Sequence, residues 1–315
     1  MNGGQPRSKI NNMLNVVAKR KIFYGFSAVL IIAGIASTIF WGLHFGIDFR
    51  GGSLLEVEFL NQRPENQAIK EKLAGLDIGE ASVQPTGERG VMLRMRDLDE
   101  NKHQEVLEAL NSISPFEEKR FDSVGPVIGQ ELKQRALAAI LVVLALIVIY
   151  IAFAFRHVTR PVASWKYGLA AVVALFHDVF IPVGIFSILG HYLGAEIDLL
   201  FVTGLLTILG FSVHDTIVVF DRIRENLKKG AGQNFEETVN ISINQTITRS
   251  INTSLTVFLA LLAIYIFGGA STKYFALLLM IGIFFGTYSS IFVASSLLVT
   301  SEKWRQVRIA KKLGK

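Results

Sequence analysis

Asp215 lies inside an apolar run, residues 199–220, that is long enough to cross a bilayer. Ser212, Asp215 and Thr216 stand at i, i+3 and i+4, so on a helix they share one face. Arg249 opens the next apolar run, and Arg249, Asn252, Thr253 and Thr256 continue at i, i+3, i+4 and i+7. Asp215 lies toward one end of its run and Arg249 enters from that same side, so the two are expected to meet at one depth. An aspartate or arginine at the centre of a membrane helix costs about 2.5 to 3.5 kcal/mol on insertion scales, so a retained pair points to ion or proton movement. His177 and Asp178 add a second polar site in the run 168–189, four residues before Pro182, which loosens the helix there. A membrane-embedded chain of Asp and His is what a proton relay needs, with Asp215 and Arg249 at its centre and Asp178 as a further candidate. The rival readings are a locked Asp215–Arg249 ion pair, a local polar contact for Asp178, and an interhelical hydrogen bond for His177.

The elements that must position these residues are apolar runs at 22–45, 136–155, 168–189, 199–220, 255–267 (reaching back toward Arg249) and 274–299. They predict a polytopic α-helical membrane protein of six spans. The first run is longer than a signal-peptide core and reads as an uncleaved anchor after a polar segment, 1–21. Arg156, Arg160 and Lys166 follow the second span, Arg222, Arg224, Lys228 and Lys229 the fourth, and a basic tail, 301–315, the sixth. The segment 190–198 has no Lys or Arg, so both termini are expected in the cytoplasm of a cell with this chain in its inner (plasma) membrane. Asp221, Arg222, Arg224 and Glu225 read as a solvated helix end or a partner contact. Asn234 with Glu237 reads as a helix N-cap, which predicts an interfacial helix over 235–247 within a cytoplasmic helical stretch at about 221–247. Gly282, Gly286, Ser290 and Ala294 recur every fourth residue, a small-residue stripe suited to close helix packing inside the chain or against another subunit.

Between the first two spans lies a hydrophilic insert, 46–135, with 12 Lys and Arg against 17 Asp and Glu, expected on the periplasmic side. Its pattern reads as strand 53–60, helix 65–76, strand 81–86, strand 91–96, helix 99–111 and strand 118–124. Leu55, Val57 and Phe59 alternate with Glu56 and Glu58, and Val106, Leu107 and Leu110 keep helical spacing. That βαββαβ order is the ferredoxin-like, split-βαβ α+β arrangement.

A hydrophobic fraction of 51% over 315 residues exceeds what one soluble core needs. With no cysteine, disulfides and thiolate metal sites are out. The net charge of +6 sits beside the apolar runs, where it orients a membrane protein, so nucleic acid is not an expected partner and membrane lipids are. There is no Walker A loop, dinucleotide fingerprint, HExxH or Ser/His/Asp arrangement. No enzyme activity, cofactor or metal is expected, and energy must come from something other than ATP.

Several segments resemble the SecD/SecF family. Gly46, Ile47, Asp48, Phe49, Arg50, Gly51 and Gly52 are similar to its membrane-edge motif, and Val124 to Gly129 to the motif before its second span. Phe211 to Asn226 and Thr248 to Ser254 resemble the SecF forms of the fourth and fifth spans. The resemblance covers the chain from about Val17 onward. It implies one six-helix half of a transporter of the resistance-nodulation-division superfamily, paired with SecD and assisting protein export at the SecYEG channel. It further implies that proton flow, through Asp215 and Arg249, drives periplasmic domains that act on the translocating polypeptide. The short insert, and the lack of a second one between Leu189 and Leu199, set the chain apart from drug exporters of that superfamily. A scaffold for the Sec complex, or half of a proton-driven lipid or small-molecule exporter, are the alternatives.

Overall fold

In the computed structural model, which describes residues 14–156 and 162–312, six helices are long and apolar enough to cross a membrane. The segment before residue 14, Arg160 and the last three residues of the basic tail lie outside that description. In chain order, α1 (Arg20–Trp41) is followed by a short helix, α2 (Ile47–Arg50), then β1 (Gly52–Phe59), α3 (Asn66–Leu73) and β2 (Ser82–Thr86). Next come β3 (Gly90–Met95), α4 (Glu100–Asn111), β4 (Phe116–Val124), α5 (Pro126–Ala154), α6 (Ser164–Leu193) and α7 (Leu199–Lys229). The chain ends with α8 (Phe235–Phe267), α9 (Ala270–Tyr288), a π turn (Ser289–Ala294) and α10 (Ser295–Lys312). The first four β and two longer α elements of the insert fall where the sequence pattern predicts them. The fold is a six-span membrane protein with a four-stranded antiparallel α+β domain between the first two spans.

Two units are separable. The sheet unit is residues His44–Ala139 together with Glu196–Val202. Its sheet runs β2-β3-β1-β4 with every neighbour antiparallel, so β3 lies between β1 and β2, as a split βαβ demands. Leu55, Val57 and Phe59 of β1 point inward and meet Ile69 and Leu73 of α3 and Val106 and Leu110 of α4, all fully buried or nearly so. Gly51 and Gly52 hold φ of 78° and 126°, and a Cβ there would stand 2.8 Å from the Pro126 Cα and 2.7 Å from the Met95 carbonyl oxygen. Only glycine fits both the conformation and the space. The connection between α6 and α7 belongs to this unit too. The Ile197 amide donates to the His44 carbonyl (2.7 Å), the Gly46 amide donates to the Ile197 carbonyl (2.9 Å), and Arg94 pairs with Glu196 (2.6 Å). Burial holds the Glu196 carboxyl above its usual range, against the opposing pull of Arg94.

Several boundaries differ from the sequence reading, three of them in ways that bear on the site. The second span starts ten residues before position 136, because Pro126 is well suited to a first helical position and the polar residues after it, Gln130 to Arg135, are helical as well. The fourth span does not end at Phe220. It continues through Asp221 and Arg222 to Lys229, where Glu225 is paired with both Arg222 (2.6 Å) and Lys229 (2.5 Å), and it turns at Gly230 (φ 63°). No separate interfacial helix forms over 235–247, since α8 is one helix of 33 residues from Phe235. Its N-cap is the expected one: Asn234 Oδ1 accepts the Glu237 amide (2.9 Å) and Glu237 accepts the Gln233 amide (2.7 Å).

Candidate membrane carboxylate site

Asp178 and Asp215 sit close to the midpoints of α6 and α7, helices of 30 and 31 residues. Small residues make their burial possible. On α9, a Cβ at Gly282 would overlap Ile208 (2.1 Å to its Cδ1) and one at Gly286 would stand 3.2 Å from the Ser212 Cβ. One turn further on, Ser290 Oγ lies 2.8 Å from Thr216 Oγ1. Ile208, Ser212 and Thr216 of α7 thus face Gly282, Gly286 and Ser290 rung by rung, so the predicted stripe packs within this chain. Between α1 and α6 the same device operates, with a Cβ at Gly184 falling 2.2 Å from the Gly34 Cα and Ser37 Oγ donating to the Gly184 carbonyl (2.9 Å).

The Asp178 carboxylate is fully buried and is reached from three directions. His177 Nδ1 is 2.8 Å from Oδ1, while Ser212 Oγ of α7 and Ser289 Oγ of the π turn (2.8 Å) both donate to Oδ2. Pro182, four residues on, leaves the Asp178 backbone carbonyl without its helical donor. The His177 ring lies against Tyr288, and its Nε2 is buried with no hydrogen-bond partner among the described residues. Asp215, 3% exposed, accepts from Thr287 Oγ1 (3.1 Å), which also lies beside Ser254 Oγ of α8. Neither carboxylate meets a Lys or Arg within ion-pair distance among the described residues.

The structure brings Ser212, Thr216, Asp178 and Asp215 into one polar interior. Asn252 and Thr253 face away from it, and Arg249, whose charge acts on Asp215, stays beyond ion-pair distance. Arg249 forms no ion pair with Asp215, and Arg249, Asn252, Thr253 and Thr256 all lie on the exposed side of α8. The Thr253 and Thr256 hydroxyls donate to their own helix's carbonyls, at Arg249 (3.0 Å) and Asn252 (2.8 Å). The inward face is the neighbouring one, with Thr246 and Ser250 buried and Ser254 half-buried. A step of one residue turns a helix by about 100°, so in a stretch polar at nearly every position the spacing alone selects no face. Asp215 is at mid-helix because α7 runs on to Lys229, and within the apolar run 199–220 it keeps its place toward one end. Thr287, Ser289 and Ser254 were missed, although the serine pairs Ser289, Ser290 and Ser295, Ser296 were a visible sign of a polar interior.

The family model for the C-terminal region of the protein export membrane proteins SecD/SecF matches residues 104–304, and the SecD/SecF GG motif matches residues 39–59. The chain is 46% identical over 314 residues to a protein translocase subunit SecF of Thermobaculum terrenum, covering 95% of this chain and 98% of that one. A protein translocase subunit SecF of Anaerolinea thermophila is 42% identical over 301 residues, covering 93% and 96%. A crystal structure of SecDF from Thermus, described as a translocon-associated membrane protein, superposes with a TM-score of 0.81 at 33% identity. It covers 93% of this chain, which spans 39% of the solved one. SecDF in a super-membrane-facing form gives a TM-score of 0.69 over 99% of this chain.

Proposed function

The chain belongs to the SecD/SecF family of protein export membrane proteins, as a SecF-type translocase subunit, and on that premise we propose that it couples the proton-motive force to protein export. In this reading it pairs with a SecD chain and works beside the SecYEG channel on the translocating polypeptide. It is a multi-pass protein of the inner membrane. Both termini face the cytoplasm and the sheet unit the periplasm, an orientation supported by the basic residues that follow the apolar part of α5, α7 and the last span and by their lack in 190–198. The chain carries no enzymatic step of its own. The exposed apolar faces of α5 and α8, with Leu141, Ile149, Leu255 and Leu259 among them, are left for lipid or for SecD.

The observation that carries the proposal is Asp215, buried at mid-helix and held by a hydroxyl where a locked scaffold would pair it with Arg249. A carboxylate tied to a guanidinium gains little by binding a proton. One held by Thr287 can be loaded and unloaded, with Arg249 approaching in another state of the cycle. One charge crossing about 100 mV releases about 2.3 kcal/mol, and a pH unit adds about 1.4 kcal/mol. Driving a two-state element from 1:99 to 99:1 takes about 5.5 kcal/mol, so a second proton-binding group completes the stroke. Asp215→Asn tests the reading in membranes that also hold SecD. The variant should assemble with SecD normally and lose gradient-dependent export by about tenfold or more, the equivalent of about 1.4 kcal/mol. Export at the wild-type rate under an intact gradient would leave only the scaffold role.

A further inference from the structure

We propose that the π turn at Ser289–Ala294 is a latch set by Asp178: the proton occupancy of this second carboxylate decides whether the turn is kept, and with it the rotation of α10 relative to α9. The inference rests on the proton-coupled reading above and adds the element that moves. A π turn inside an α-helix carries one surplus residue and persists where particular contacts hold it, often at functional sites.

Here hydroxyls hold it at both edges. Ser295 Oγ donates to the Ser290 carbonyl, five residues back (2.9 Å), and Ser290 Oγ donates to the Gly286 carbonyl (2.9 Å) while accepting from Thr216 across on α7 (2.8 Å). The decisive group is Ser289. Its single hydroxyl proton has two acceptors within reach, Asp178 Oδ2 at 2.8 Å and the carbonyl of Gly286, on its own helix, at 3.1 Å. A charged carboxylate is the stronger acceptor, and such bonds are about twice as strong as neutral ones. Loading a proton on Asp178 removes that advantage and returns the hydroxyl to its own helix. Among the described residues, α7 and the π turn face Asp178 with the Ser212 and Ser289 hydroxyls, and the one titratable group touching it is its neighbour His177.

The consequence is a rotation that can be measured. Tyr288, just before the π turn, donates to the Phe23 carbonyl of α1 (3.0 Å), and Thr300, after it, meets the Tyr24 hydroxyl of the same helix (3.0 Å). Annealing the π turn to α-helix takes out one residue of winding, about 100°. With Tyr288 held, Thr300 must leave Tyr24.

The chain has no cysteine, so two introduced thiols are the only ones it carries. Tyr24→Cys with Thr300→Cys, in the complex with SecD in native membranes, is treated with a short bifunctional methanethiosulfonate across a pH series. Phe186→Cys with Tyr274→Cys, an α6–α9 pair ahead of the π turn that leaves Tyr288 in place, is the control. The yield at 24 and 300, divided by that of the control pair so that the pH dependence of thiol ionisation cancels, should be high at alkaline pH and drop about threefold or more on acidification, a shift between two populated states. Asp178→Asn should give the low yield at every pH, and Ser289→Ala should move the same way. Should Asp178→Asn fail to accumulate, Ser289→Ala decides the matter. A yield at 24 and 300 that ignores pH, or that follows pH equally with Asp178→Asn or with Ser289→Ala, overturns the latch. Failure of the proton-coupled reading shows elsewhere, as wild-type export by Asp215→Asn.

Discussion

The two units of this chain are built inside out with respect to one another. In the sheet unit the interior is apolar, Leu55, Val57, Ile69, Leu93 and Val106, and the charges lie outside in pairs such as Arg96–Asp77 and Arg89–Glu58. In the membrane unit Ile39, Phe40, Leu141 and Ile149 are exposed, while Asp178, Asp215, Ser212, Ser289, Ser290 and Ser295 are buried. Water drives the first arrangement, because burying apolar area is worth about 25 cal/mol per Å². In lipid that drive between helices is gone, and close approach with interhelical hydrogen bonds replaces it. The membrane core is therefore free to be polar, and what holds it together can also take part in its work.

This contrast can be broken, and the largest effect should come from closing the gap that small residues leave. Gly184→Leu places a Cβ 2.2 Å from the Gly34 Cα, a backbone atom that cannot move aside, so the chain should fail to accumulate in membranes. Normal accumulation on an immunoblot would mean that α1 and α6 are not packed through their glycines. Next in size is Leu93→Ala, in the middle of the sheet unit. It should cost that unit about 2 to 5 kcal/mol, read as faster hydrogen exchange in β1 and β3, and leave the Asp178 and Asp215 surroundings unchanged.

A paired comparison sharpens the lesson about buried hydroxyls. Ser53, fully buried in the sheet unit, lies 2.8 Å from Ser123 Oγ and accepts the Leu98 amide (2.8 Å). Ser53→Ala should cost about 1 to 3 kcal/mol by stranding these partners and leave the pH profile of export as it is. Thr287→Ala should do the reverse, altering the pH profile of gradient-dependent export with little change in thermal unfolding in detergent. If the two variants behave alike, hydroxyls in the membrane unit are ordinary packing groups. The smallest effect is expected at the α7–α8 turn. There Asn234→Ala removes the N-cap and should cost about 1 kcal/mol, visible as earlier exchange of the Glu237 and Thr238 amides and not as a change in export.

Much of the architecture was legible because it rests on repeats that the chain displays directly. Six apolar runs, the fifth of them reaching back toward Arg249, became six spans, and mixed alternation in β1 with helical spacing in α4 pointed to the βαββαβ order. Asn234 acts as a cap because its side chain reaches an amide only three residues away. Errors arose where apolarity was taken for helicity. Residues 126–135 are polar and helical at once, since a helix leaving the membrane keeps its backbone bonds and changes only its side chains, and 221–229, expected as helix, do the same.

Residue types and local spacing by themselves determined that this chain has membrane spans, a split-βαβ insert, and carboxylates inside apolar runs that need a reason to be there. Which groups meet those carboxylates was decided in three dimensions. Arg249 and Ser250 are adjacent in sequence, yet one is exposed and the other buried, and only the packing of α8 against its neighbours chose between them. The same holds for Ser289, which reaches Asp178 111 positions away through a π turn that has no periodicity to betray it. It holds again for Glu196–Val202, which follow a membrane helix in the chain and belong to the sheet unit through Arg94 and His44. Periodicity is a property of one helix or strand and is written in that segment alone. A contact between helices depends on the rotation of each, and at 100° per residue a single step exchanges the face that is buried for the face that is not.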